Sequence, residues 1–94
     1  MGWGRVVSAD GMDAPLLYCC DSMRHLVCYP YSLEGLHRMA AVLGVKRCWF
    51  HNSPGHAHYD IPKRRVAEIS GRCRVVSPRE VLAIIKGTWV PPVG

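Results

Sequence analysis

Three glycines, Gly44, Gly71 and Gly87, each close a segment that opens on a helix-starting residue, and short apolar runs separate the three segments. The first segment has Ser32 in an N-cap position. Leu33, Leu36, Met39, Ala40 and Leu43 follow at helical spacing, and Gly44 stands where a left-handed terminator is wanted. Gly35 lies inside it and weakens the helix by about 1 kcal/mol relative to alanine. The second segment starts near Pro62, a residue suited to a first helical turn, and runs to Ser70 with Val66 and Ile69 inward. The third opens on Ser77-Pro78-Arg79-Glu80, a capping box with proline at the first helical position, and has Val81, Leu82, Ile84 and Ile85 on its apolar side. The runs Pro15 to Cys20, Val45 to Phe50 and Cys73 to Val76 read as strands. Ser22 to Tyr31 fits neither class: Met23, Leu26, Val27, Cys28 and Tyr29 are too apolar for a free loop, and Pro30 interrupts any regular element. The order β-α-β-α-β-α with short connections predicts an α/β domain, a small Rossmann-like unit on a short, mostly parallel three-stranded sheet. It carries no GxGxxG after the first strand and no P-loop lysine motif, so no dinucleotide or triphosphate fingerprint is present.

The 94 residues bound the chain to one domain. The expected limits are residues 14–87, with residues 1–13 as a flexible N-terminal arm and residues 88–94 as a C-terminal tail. No apolar run approaches the roughly 18 residues of a membrane span. Met1 to Gly11 carries Arg5 and Asp10 without a long apolar block, so a secretory signal is not expected. Five cysteines form no CxxC pair, and Cys19, Cys20, Cys48 and Cys73 sit in apolar runs, which reads as a reducing, cytoplasmic setting. A homodimer through the tail that holds Trp89 is left open.

Charge is concentrated. Between Lys46 and Arg74 lie seven cations against Asp60 and Glu68, within a net charge of +5. Such a field attracts phosphates, on a nucleotide or a nucleic acid. Strand ends in a parallel sheet would gather Asp21, Ser22, Arg24 and His25 with Trp49, His51 and the loop to Asp60 on one rim. Lys63 and Arg64 in a first helical turn oppose the helix dipole, and a bound anion would relieve that conflict. Solvated surface cations are the plainer explanation of the same pattern.

His56-Ala57-His58-Tyr59-Asp60 has an HxHxD spacing, and an extended backbone would point His56, His58 and Asp60 to one side. Imidazole and carboxylate suit zinc or manganese, but the short chain lacks the further histidines of the metallohydrolases that use this motif, so no metal or other cofactor is expected. Asp21 with His58 or Asp60 could form an acid/base pair. Trp49 or Tyr59 could stack on a base, although a tryptophan at a strand end is more often core.

Asp21 followed by Met23-Arg24, the segment Leu36-His37-Arg38-Met39-Ala40 ending at Gly44, Trp49-Phe50, and His58-Tyr59-Asp60-Ile61 with its following basic residues together resemble the family called domain of unknown function 4031, found in bacteria and phage genomes. The resemblance runs from about Leu16 to Ile85. Ser22 stands where members often carry a second aspartate. The resemblance implies one compact domain with a shared polar edge, and its phage context leaves room for a role against host defence. It carries no reaction with it.

The expected function is a binding module for a phosphate-bearing ligand, nucleotide or nucleic acid. Arg24, Lys63 and Arg64 would neutralise phosphate, Trp49 or Tyr59 would stack, and Asp21 and His58 would orient the ligand. The alternatives are a small hydrolase or phosphoesterase using Asp21, His58 and Asp60, with or without a metal, and an interaction factor that docks on a host protein.

Overall fold

The computed structural model describes residues 16–92. The proposed arm, residues 1–13, lies outside them. Strand β1 (Leu17–Cys20) turns directly into β2 (His25–Tyr29), which ends at a cis Tyr29–Pro30 bond. Helix α1 (Leu33–Leu43) follows, then a 3₁₀ turn (Arg47–Trp49), β3 (Phe50–His51) and β4 (His58–Asp60). A second 3₁₀ turn (Lys63–Arg65) leads into α2 (Val66–Ser70), then β5 (Arg74–Val75) and α3 (Pro78–Lys86).

The sheet has five strands in the order β3-β4-β2-β1-β5. Three of its four pairings are antiparallel, and only β1 with β5 is parallel. This corrects the expected three-stranded, mostly parallel Rossmann-like sheet. The error has a physical source. β2 is the central strand, with Leu26, Val27 and Cys28 fully buried. A strand covered on both faces shows no alternation, so it resembled irregular apolar chain. Pro30 lies one residue past its end and removes no ladder hydrogen bond. The expected strand from Val45 to Phe50 is mostly the first 3₁₀ turn. The expected helix from Pro62 is that second 3₁₀ turn followed by five residues of α2.

The capping signals form as the sequence implies. The Ser32 side chain accepts from the Gly35 amide at 2.9 Å, Gly44 is left-handed at φ 72°, and Val45 N–H reaches back to the Ala40 carbonyl at 2.8 Å. Arg65 adds a second closure, donating to the Leu43 and Gly44 carbonyls while also holding Glu68. On α3, Ser77 and Glu80 complete the reciprocal capping box.

Cross-strand pairing decides which side chains share a face. Tyr59 lies opposite Leu26, and the Tyr59 hydroxyl is 2.8 Å from His37 Nδ1 of α1, so this face is the α1 side. Asp60 lies opposite His25 and His51 opposite His58, and these four alternate with Tyr59 onto the other side, the one against which α3 packs. The sheet is thus sandwiched between helices, with the polar residues of β3 and β4 on the α3 side. Trp89, assigned by sequence to the tail, is buried. Its indole donates to Glu80 at 3.0 Å and meets Tyr29 edge-on.

Candidate functional site

Asp21 begins the site because it builds the turn between β1 and β2. Its Oδ1 accepts from the amides of Met23 and His25, both at 2.9 Å, and Arg24 takes the left-handed conformation (φ 68°) that a three-residue hairpin loop requires. Oδ2 is left for His25 Nδ1, also at 2.9 Å. The Asp21 side chain is 0% exposed, and these three donors are what make a buried carboxyl group tolerable there. Arg24 then donates to the Ile61 carbonyl at 3.1 Å, and Ile61 N–H returns a bond to the Arg24 carbonyl at 2.8 Å. Those bonds hold the turn against the end of β4.

On β4, His58 and Asp60 are two residues apart and therefore project together. His58 Nδ1 lies 2.6 Å from the His56 carbonyl, and a carbonyl can only accept, so Nδ1 carries the proton. His58 Nε2 is 3.3 Å from Asp60 Oδ1, while Asp60 Oδ2 accepts from His51 Nε2 at 2.7 Å. The rings of His51 and His58 stack 5.4 Å apart, and His25 meets His58 edge-on at 4.9 Å. A continuous contact chain results: Asp21, His25, His58, Asp60, His51. Among the described residues, His25, His58 and Asp60 each offer a donor atom within 4.8 Å of the others.

Beside this chain is a cleft of about 210 Å³, lined by His25, His56 and His58 on one side and by Pro78, Val81, Leu82 and Ile85 of α3 on the other. One wall is apolar and the other carries imidazoles, the composition expected of a small-molecule site.

The structure brings Asp21, His58 and Asp60 together, with Arg24 tying their two segments. Tyr59 is buried on the opposite face, bonded to His37; burial raises the Tyr59 hydroxyl's pKa and lowers that of His37. Trp49 is partly buried against the core in the 3₁₀ turn before β3. Lys63 and Arg64 are exposed in the second 3₁₀ turn, three and four residues beyond Asp60. His25 and His51 were placed on a polar rim by the sequence but given no role. The four-residue spacing from Asp21 to His25 across a turn was the available signal for the first. His51 had none, since its partner is chosen by antiparallel pairing with β4.

A family model described as protein of unknown function (DUF4031) matches residues 8–87, and the chain belongs to that family. Neither the curated proteins nor the solved structures contain a match to it. Among the described residues no helix is long and apolar enough to cross a membrane.

Proposed function

We propose that this member of the DUF4031 family is a small hydrolase of phosphate esters, with the His-Asp chain as its reacting centre. The observation that carries this reading is Asp60. Its carboxylate is bonded to His51 at 2.7 Å and lies 3.3 Å from His58, whose ring lines the cleft. A water held there could lose its proton to the His58–Asp60 pair and attack phosphorus. The ester P–O bond would break, and the departing alkoxide would take the proton back from the His58–Asp60 pair, which His51, bonded to Asp60, keeps oriented. The net charge of +5, with Lys63 and Arg64 shortly after Asp60, supports an anionic substrate over a neutral one. Five free cysteines support a reducing, cytoplasmic setting.

The test is turnover of nitrophenyl phosphate mono- and diesters, with nitrophenyl acetate as a neutral control, with and without added zinc or manganese. Phosphate-ester hydrolysis should exceed acetate hydrolysis, and Asp60→Asn should lower kcat/KM by about 10²- to 10⁴-fold. Salt-sensitive nucleotide or oligonucleotide binding without turnover would replace this reading with the binding module. Neither turnover nor binding would leave docking on a host protein.

A further inference from the structure

The geometry points to a divalent metal site formed by His25, His58 and Asp60, and we propose that zinc is the ion it takes. The argument starts from His58. Its Nδ1 proton is committed to the His56 carbonyl at 2.6 Å. In the neutral ring, Nε2 therefore presents a lone pair, and 3.3 Å away is an Asp60 oxygen that presents lone pairs too. Two acceptors facing each other need something positive between them, either a proton on Nε2 or a metal ion.

His25 favours the ion. Its Nδ1 is bonded to Asp21, a carboxylate that can only accept, so Nδ1 carries a proton and Nε2 is free to ligate. One proton on His58 would answer the His58–Asp60 pair but leave the His25 lone pair to water, its side chain being 36% exposed. A cation shared by all three answers every lone pair at once. The dimensions agree. Ligand atoms about 2.0–2.1 Å from a tetrahedral ion lie roughly 3.3 Å from one another, which is the His58–Asp60 separation. The full set lies within 4.8 Å, so a small closing movement of the rings completes it.

Each ligand also has its own orienting partner: Asp21 for His25 at 2.9 Å, the His56 carbonyl for His58 at 2.6 Å, and His51 for Asp60 at 2.7 Å. Metal-binding histidines are held by carboxylates or carbonyls in this way, which fixes the tautomer and leaves the ligating nitrogen bare. Two histidines and one carboxylate would leave a fourth position open, and two of the three, His25 and His58, line the cleft. That is the coordination of catalytic rather than structural zinc. The site does not depend on turnover. It uses the same cluster as the hydrolase reading and, when filled, turns the His58 and Asp60 lone pairs from proton acceptors into ligands; binding is measured separately.

The test is calorimetric titration of zinc into the untagged full chain, with cobalt(II) as a spectroscopic substitute. One ion should bind per chain. Cobalt should give visible bands of a four- or five-coordinate nitrogen and oxygen site, without the near-ultraviolet band of thiolate ligation. His25→Ala and Asp60→Asn should each weaken zinc at least tenfold. His51→Ala, at an exposed position outside the core, should weaken it by 10- to 100-fold through loss of orientation. Absence of stoichiometric binding, binding unchanged in His25→Ala and Asp60→Asn, or a thiolate band would overturn the proposal. Zinc binding without hydrolysis would sink the hydrolase reading alone. Hydrolysis without any stoichiometric zinc binding would sink the metal site alone.

Discussion

A methyl group added at position 35 has no room. It would stand 2.8 Å from Cys28 Sγ and 2.9 Å from Ser32 Oγ, because α1 approaches β2 closely at that turn. The sequence made Gly35 a flaw in a helix; the packing makes it the condition for seating that helix on the central strand. Gly35→Ala should gain about 1 kcal/mol of helix propensity and lose about 1–3 kcal/mol to overpacking. The net expectation is a loss, read as a lower urea midpoint. Combined with Cys28→Ala, which opens the contact, the double variant should lose less than the sum of the two. Thiol chemistry makes a second prediction at this scale. Hydrogen bonding to Cys73 pulls the Cys20 thiol down, while burial pushes Cys19 up to about 11. Acidity alone would favour Cys20 as the first thiol to react. Yet Cys20 is 1% exposed, and opening a core strand at about 5 kcal/mol costs a factor of several thousand. Exposed Cys48 should therefore be alkylated first, as peptide mass mapping of a timed iodoacetamide reaction will read. Early labelling of Cys20 would contradict the packing.

The helices were legible because their ends are written in local chemistry. Ser32, Gly44, Ser77, Glu80 and Gly87 act on backbone groups within a few residues, and all five occupy the cap positions their types imply. Strands were legible only in part, since what makes β2 and β4 strands is their neighbours. β4 is three residues long, and its polar-apolar-polar pattern gains meaning only when His37 and Tyr59 meet on one side and His25 and Asp60 on the other. The HxHxD spacing did imply that His58 and Asp60 project together, but the third member of their cluster comes from β2, an element the sequence did not resolve. Capping gives a prediction here. Ser77→Ala removes the acceptor for the Glu80 amide at 3.1 Å and should cost about 1 kcal/mol. For a domain this size that lowers Tm by about 4–8 °C, while the fold and the site on β2 and β4 stay intact.

At the scale of the whole molecule, an antiparallel sheet achieves what a parallel one was expected to do. The hairpin from β1 to β2 and the pairing of β2 with β4 bring Asp21 and the His58–Asp60 segment together, although the chain between them passes through α1. The same packing sets an acid limit on stability. Burial, with some help from Arg47, holds His37 below the usual imidazole value of 6.5. The unfolded chain therefore binds this proton more readily than the folded one, and stability falls as pH drops below 6.5. Glu68 and Glu80 lie below the usual carboxyl value of 4.5, held there by hydrogen bonds from Arg65 and from Ser77 and Trp89. Their stabilisation is present above 4.5 and is lost as pH falls further. Urea midpoints measured from pH 8 to 3 should decline in both ranges, and His37→Gln should flatten the upper decline relative to the natural chain. A midpoint that rises on acidification from pH 7 to 5.5 would contradict the half-buried, neutral His37.

Both functional readings require ring nitrogens of known protonation aimed at one point. Nitrogen-15 spectra of imidazole-labelled, metal-free protein at neutral pH measure this directly. The account predicts His25 and His58 protonated at Nδ1, with zinc then shifting the Nε2 signals of both rings and leaving His56 unmoved. Protonation of both rings at Nε2 alone, or zinc that perturbs neither, would contradict it.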